Sequence, residues 1–121
     1  MTRRAAEAAG RRGEFWAAWW LRLHGWRILG RRISVGVGEV DIIARRGRCL
    51  AFVEVKYRRN ADQWADAIDK RRLTRVAAAA HILAPRYMRS TPAKGGDDVR
   101  IDVMLLAPWR LPRHLVHVWQ D

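Results

Sequence analysis

Residues 38–57 read GEVDIIARRGRCLAFVEVKY, two apolar runs joined by Arg46-Gly47-Arg48. β-Branched and aromatic residues dominate both runs, as in buried strands. The glycine between two arginines is a turn signal, so the pair reads as a hairpin. With Gly47 opening a two-residue type II′ turn, Asp41 falls opposite Glu54 and Glu39 opposite Lys56. A three-residue loop would instead put Asp41 and Glu54 on different faces. Within FVEVK (52–56), Glu54 and Lys56 point one way while Val53 and Val55 point the other.

Two carboxylates meeting across a hairpin repel unless something offsets their charge. A hard divalent cation does so, and Mg²⁺ commonly takes one or two protein carboxylates, leaving its other positions to water and phosphate. Lys56, one strand step past Glu54, could orient or deprotonate a nucleophile or stabilise charge on a phosphate. These parts suit metal-assisted phosphodiester hydrolysis. The plain alternative is a solvent-facing Glu54–Lys56 ion pair on an amphipathic strand, because structural ion pairs imitate sites.

The balance of charge bears on that choice. Among 121 residues, 24 Lys and Arg against 12 Asp and Glu give a net charge of +12, which points to nucleic acid or another polyanion. Residues 1–60 hold 14 of the basic side chains and 5 of the acidic ones, so the excess lies in the half that carries the hairpin. Half the residues are hydrophobic, enough for one folded domain spanning 1–121. The single cysteine, Cys49, rules out an internal disulfide and a cysteine-cluster zinc site. No stretch reads as a signal peptide or a membrane span, so the expectation is a soluble cytoplasmic protein.

Along the chain, a helix is expected from about Arg4 to His24, with an inner stripe of Ala5, Ala8, Phe15, Trp16, Trp19, Trp20 and Leu23, and Gly25 as its stop. Gly10 and Gly13 weaken its first half. Glu14 reads as a solvated residue pairing with Arg11 or Arg22. Strand-like runs follow at WRILGRRI, GEVDIIARR and CLAFVEVKY. A second helix is expected over 61–84, ended by Pro85, with Ile68, Arg72, Val76, Ala79, Ala80 and Leu83 facing in and Lys70, Arg71 and Arg75 facing out. PRYMRSTPAKGGDD reads as a mobile loop, VRIDVMLLA as a strand and HLVHVWQ as a last short strand, on which His114 and His117 would take opposite faces. The order is that of an α/β domain with a mixed sheet.

Taken in order, Gly13-Glu14, Gly38-Glu39-Val40-Asp41, Phe52-Val53-Glu54-Val55-Lys56 with Arg58, the Ala67–Leu73 segment with Lys70, and Arg100-Ile101-Asp102 resemble the PD-(D/E)xK nuclease superfamily. Within it the chain resembles the small bacterial YraN-type family, and its motif layout is similar to archaeal Holliday-junction resolvases. The resemblance implies a restriction endonuclease-like αβββαβ core and a Mg²⁺- or Mn²⁺-dependent site. It makes Asp41 and Glu54 metal ligands, completed by the Val55 carbonyl, and Lys56 the catalytic lysine. It also brings Glu14 to the metal, directly or through water, reversing the solvated reading. Arg58 and Lys70 become phosphate contacts. Glu39 would pair with Lys56 or lie beside the site, and Asp102 would anchor a loop or helix end.

The expected function is a divalent-metal-dependent endonuclease on DNA, selective for branched or single-stranded structures. Cutting a four-way junction symmetrically would require a homodimer. Two other readings stand beside it. One is a non-catalytic nucleic-acid-binding module that keeps the nuclease fold. The other is an adaptor whose aromatic first helix docks a protein partner.

Overall fold

The computed structural model describes residues 3–88 and 98–119. A five-stranded mixed sheet runs in the order β1 (Arg27–Val35), β2 (Gly38–Arg46), β3 (Cys49–Tyr57), β4 (Asp98–Leu106) and β5 (Arg113–Leu115). Only β3 and β4 are parallel; the other neighbours are antiparallel. Parallel neighbours need a crossover, and here it carries α2 (Lys70–Tyr87) between β3 and β4. Helix α1 (Arg3–Leu23) precedes the sheet. The expected α/β architecture with an αβββαβ core is therefore present.

Each helix covers its own face. Ala17, Ala18 and Leu21 of α1 pack with Ile42, Ala44, Ala51, Val53, Met104 and Leu106. Leu73, Val76, Ala79, Ala80 and Leu83 of α2 pack with Val40, Ile43, Leu50, Phe52, Ile101, Val103 and Leu105. Strand β3 lies between the two cores, and its segment from Leu50 to Glu54 is buried. The β2–β3 hairpin has the expected register, with Ile42 opposite Val53 and Arg46 opposite Cys49. Gly47 sits at φ 61°, a conformation glycine adopts without strain at the first position of a tight hairpin turn.

Several expectations are corrected. Phe15, Trp16, Trp19 and Leu23 face outward, at 46, 61, 46 and 75% exposure, and the small residues of α1 take the inner face. The reason is spacing: the sheet is close enough to α1 that a β-carbon on Gly13 would lie 3.1 Å from Tyr57 Cβ, leaving no room for indoles beneath. Ala5 and Ala8 lie outside the side chains the structure describes. The second helix begins only at Lys70, after a 3₁₀ turn over Ala61–Asp66, and Asp69 caps it by accepting a hydrogen bond from Arg71 N–H at 2.9 Å. Ile68 precedes it and is exposed, and Leu73 begins the inner stripe. Pro85 does not end α2, which continues to Tyr87. Within the expected loop, residues 89–97 lie outside the described residues. The last strand is limited to Arg113–Leu115, so His117 lies beyond it, at φ 54°.

Candidate functional site

The site forms where β2 parts from β3. Their ladder stops at Ile42–Val53, whereas β3 stays paired with β4 through Tyr57. On β2, Val40 packs in the α2-side core and Ile42 in the α1-side core. Residues two apart on a regular strand share a face, so alternation breaks at Asp41. The β1–β2 ladder likewise passes from Arg31–Ile42 to Ile33–Val40 without pairing Arg32 and Asp41. Arg32 stands at φ 52°, an uncommon conformation for a residue with a side chain. This bend turns the Asp41 carboxylate along the sheet, where Oδ2 accepts a hydrogen bond from Val55 N–H at 2.7 Å. A strand residue's N–H and C=O leave the backbone on the same edge, so the Val55 carbonyl faces the same gap.

Glu54 is 1% exposed. Its Oε1 lies 3.4 Å from Lys56 Nζ and accepts a hydrogen bond from Arg72 Nε, while Oε2 is buried with no hydrogen-bond partner among the described residues. Arg72 was expected to face the core; it reaches over the sheet to the site instead. Burial, then the charge of Glu54, pushes the Asp41 pKa up to about 7, against an ordinary value of 3.8. The Val55 hydrogen bond and Arg72 pull the other way. Burial also lowers the Lys56 pKa, helped by Arg72 and opposed by Glu54.

Glu14 is 5% exposed, contrary to the solvated reading. Its partners are neither Arg11 nor Arg22: Oε2 accepts from Arg32 Nε at 2.7 Å, and Oε1 lies 4.0 Å from Arg31 Nε. That Oε1 is buried and has no hydrogen-bond partner among the described residues. Glu14 is close enough to contribute to raising the Asp41 pKa. Lys56 bonds Glu54 rather than Glu39; the β2–β3 ladder ends before Glu39 can oppose it. Glu39 is exposed and lines a groove of about 510 Å³ with Arg72 and Arg75. Arg58 donates its Nη1–H to Tyr57 O, and Lys70 is exposed at the start of α2.

Asp102 ties β4 to β5 and to the segment after it. It is fully buried and accepts from Arg100 Nε and Nη2, from His117 N–H, and bonds His114 Nε2, at 2.7–3.0 Å. Sequence reasoning missed Arg72, Arg32 and His114. Arginines on a helix stripe or strand give no sign of which carboxylate they meet, and His114 finds Asp102 only because β5 pairs with β4.

A divalent cation fits these residues in one respect that can be read directly: two buried carboxylate oxygens lack donors among the described residues beside a carboxylate whose pKa is raised to about 7. Among the described residues no three His, Cys, Asp or Glu side chains are grouped to hold a metal. Asp41, Glu54 and the Val55 carbonyl are the groups that could hold one.

Fold and site together define a small mixed α/β domain with a buried carboxylate–lysine–arginine cluster at a parting in its sheet. The model of the family described as "Uncharacterised protein family UPF0102" matches residues 13–106, and the chain belongs to that family. A UPF0102 protein of Sphingopyxis alaskensis is 68% identical over 120 residues, covering 99% of both chains. One of Rhizorhabdus wittichii is 62% identical, covering 97% of this chain and 95% of its own, and one of Erythrobacter litoralis is 50% identical over 120 residues.

Proposed function

We propose that the protein is a divalent-metal-dependent endonuclease of the PD-(D/E)xK type that hydrolyses DNA at branched or unpaired structures. The observation that carries this reading is that Asp41, its pKa raised by burial, lies close enough to the buried Glu54 for that charge to raise it further, while Glu54 Oε2 has no donor among the described residues. Mg²⁺ or Mn²⁺ held there would polarise the scissile phosphate and acidify water. Asp41, Glu54 and the Val55 carbonyl would hold the ion. Lys56, its pKa lowered by burial, is suited to take or give a proton beside the phosphate. Glu14 keeps Arg31 and Arg32 beside the site, and Arg58, Lys70 and Arg75 hold the DNA backbone. On a four-way junction two copies would act together. A cytoplasmic location is part of the same reading.

Cleavage of single-stranded, duplex and four-way-junction DNA in Mg²⁺ or Mn²⁺ tests the reading. Glu54→Ala should abolish cutting, and Lys56→Ala should lower it by about 10²–10⁴-fold, with metal-free DNA binding retained in both. Equal cutting by all three proteins would refute it.

A second reading has one observation in its favour. Arg72 already supplies positive charge to Glu54, as a resident counter-ion would. In a non-catalytic DNA-binding module, Arg72→Ala would strand a buried charge and destabilise the fold whether or not metal is present. In the nuclease, added Mn²⁺ should restore the melting temperature of Arg72→Ala.

A further inference from the structure

On the α1 side of the sheet runs a groove of about 400 Å³ with an unusual lining. One wall is α1, where Gly13, Trp16, Trp20 and Leu23 follow one another at three- and four-residue steps over roughly 15 Å. The other wall is the segment after β4, including Pro108, Trp109 and Arg110. Trp109 is fully exposed, at 101%, on backbone held at φ 62°. Large aromatics held out in water at a groove mark a binding surface.

Two observations identify the occupant. The only charged side chain in the lining is a cation, Arg110, in a protein of net charge +12, and Arg22 stacks on neighbouring Trp19 with its guanidinium 5.6 Å from the ring centroid. A second copy of so basic a chain would be repelled, whereas a polyanion would be drawn in. Tyr57 in its lining packs with the α1-side core, so the groove lies on the α1 face of the sheet.

We infer that the groove takes an unpaired nucleic-acid strand, its bases stacking on Trp16 and Trp109. Aromatic faces accept any base but only when it is free of its partner, so the groove selects unpaired over duplex DNA. This binding does not rest on the nuclease reading.

The test is a fluorescence-anisotropy titration in EDTA of a ten-nucleotide oligothymidine and of a duplex of equal length. It compares wild type with Trp109→Ala and Trp16→Ala, whose exposed side chains can be removed without opening the core. Each variant should lose about tenfold in affinity for oligothymidine, the effect of one base–aromatic stack, and keep its duplex affinity within about twofold. Equal losses on both DNAs, or none on oligothymidine, would overturn the inference. So would sedimentation showing a dimer that Trp109→Ala splits while oligothymidine affinity is unchanged, because the groove would then seat a second copy. If wild type binds this way but cuts nothing in Mg²⁺ or Mn²⁺, the groove stands and the nuclease reading falls. If Glu54→Ala alone abolishes cutting and the tryptophan variants bind as wild type, the reverse holds.

Discussion

Asp41 is poised between two protonation states. Its pKa of about 7, raised from 3.8, means that the folded chain holds a proton that the unfolded chain releases. The sign follows: this group costs nothing below pH 4, progressively destabilises the fold as pH rises from about 4 to about 7, and exacts its full penalty above that. Asp41→Asn should therefore flatten the pH dependence of the melting temperature between pH 5 and 8. In wild type, stabilisation by added Mn²⁺ should grow over the same interval, since a cation binds the ionised pair. A Mn²⁺ effect that is flat with pH would disconnect Asp41 from metal binding. Asp102 has the opposite sign. Burial works against its charge but is outweighed by the bonds from His114, Arg100 and His117, so its pKa is lowered. That contribution is present above the ordinary carboxylate range and lost as pH falls through the lowered value. Asp102→Ala should destabilise by about 3 kcal/mol in chemical denaturation, because it strands buried donors.

Among the elements, the β1–β2 hairpin approaches α2 closely. A β-carbon on Gly38 would lie 2.7 Å from the Arg75 carbonyl oxygen, so the hairpin passes against the backbone of α2. Gly38→Ala should push the two apart, costing about 2 kcal/mol, and should distort the groove that Glu39 shares with Arg72 and Arg75. Unchanged stability would mean that the hairpin shifts freely. At this scale the β2–β3 hairpin was legible because alternation and a glycine turn act over a few residues. The outward aromatic face of α1 was not. A stripe of Phe and Trp carries the same period whether it faces a core or a ligand, and only the closeness of the sheet to Gly13 decides between them.

Over the whole molecule, the excess of positive charge should govern affinity for DNA. Binding in EDTA should weaken steeply with added salt, and Arg58→Ala or Lys70→Ala should each reduce the log–log slope by about 1 if that side chain neutralises a phosphate. An unchanged slope would remove that residue from the interface. No helix among the described residues is long and apolar enough to cross a membrane.

The local pattern of residues was sufficient to determine the strands, the hairpin register that brings Asp41 towards Glu54, and the shared face of Glu54 and Lys56, because backbone sterics and side-chain alternation are short-range. What closes the site was decided by tertiary structure alone. The bend at Arg32 and Asp41, the reach of Arg72 from α2 and the burial of Glu14 beneath β1 depend on elements distant in sequence packing on one sheet. The energies involved, desolvation of charge and the pairing it demands, exist only once those elements have met.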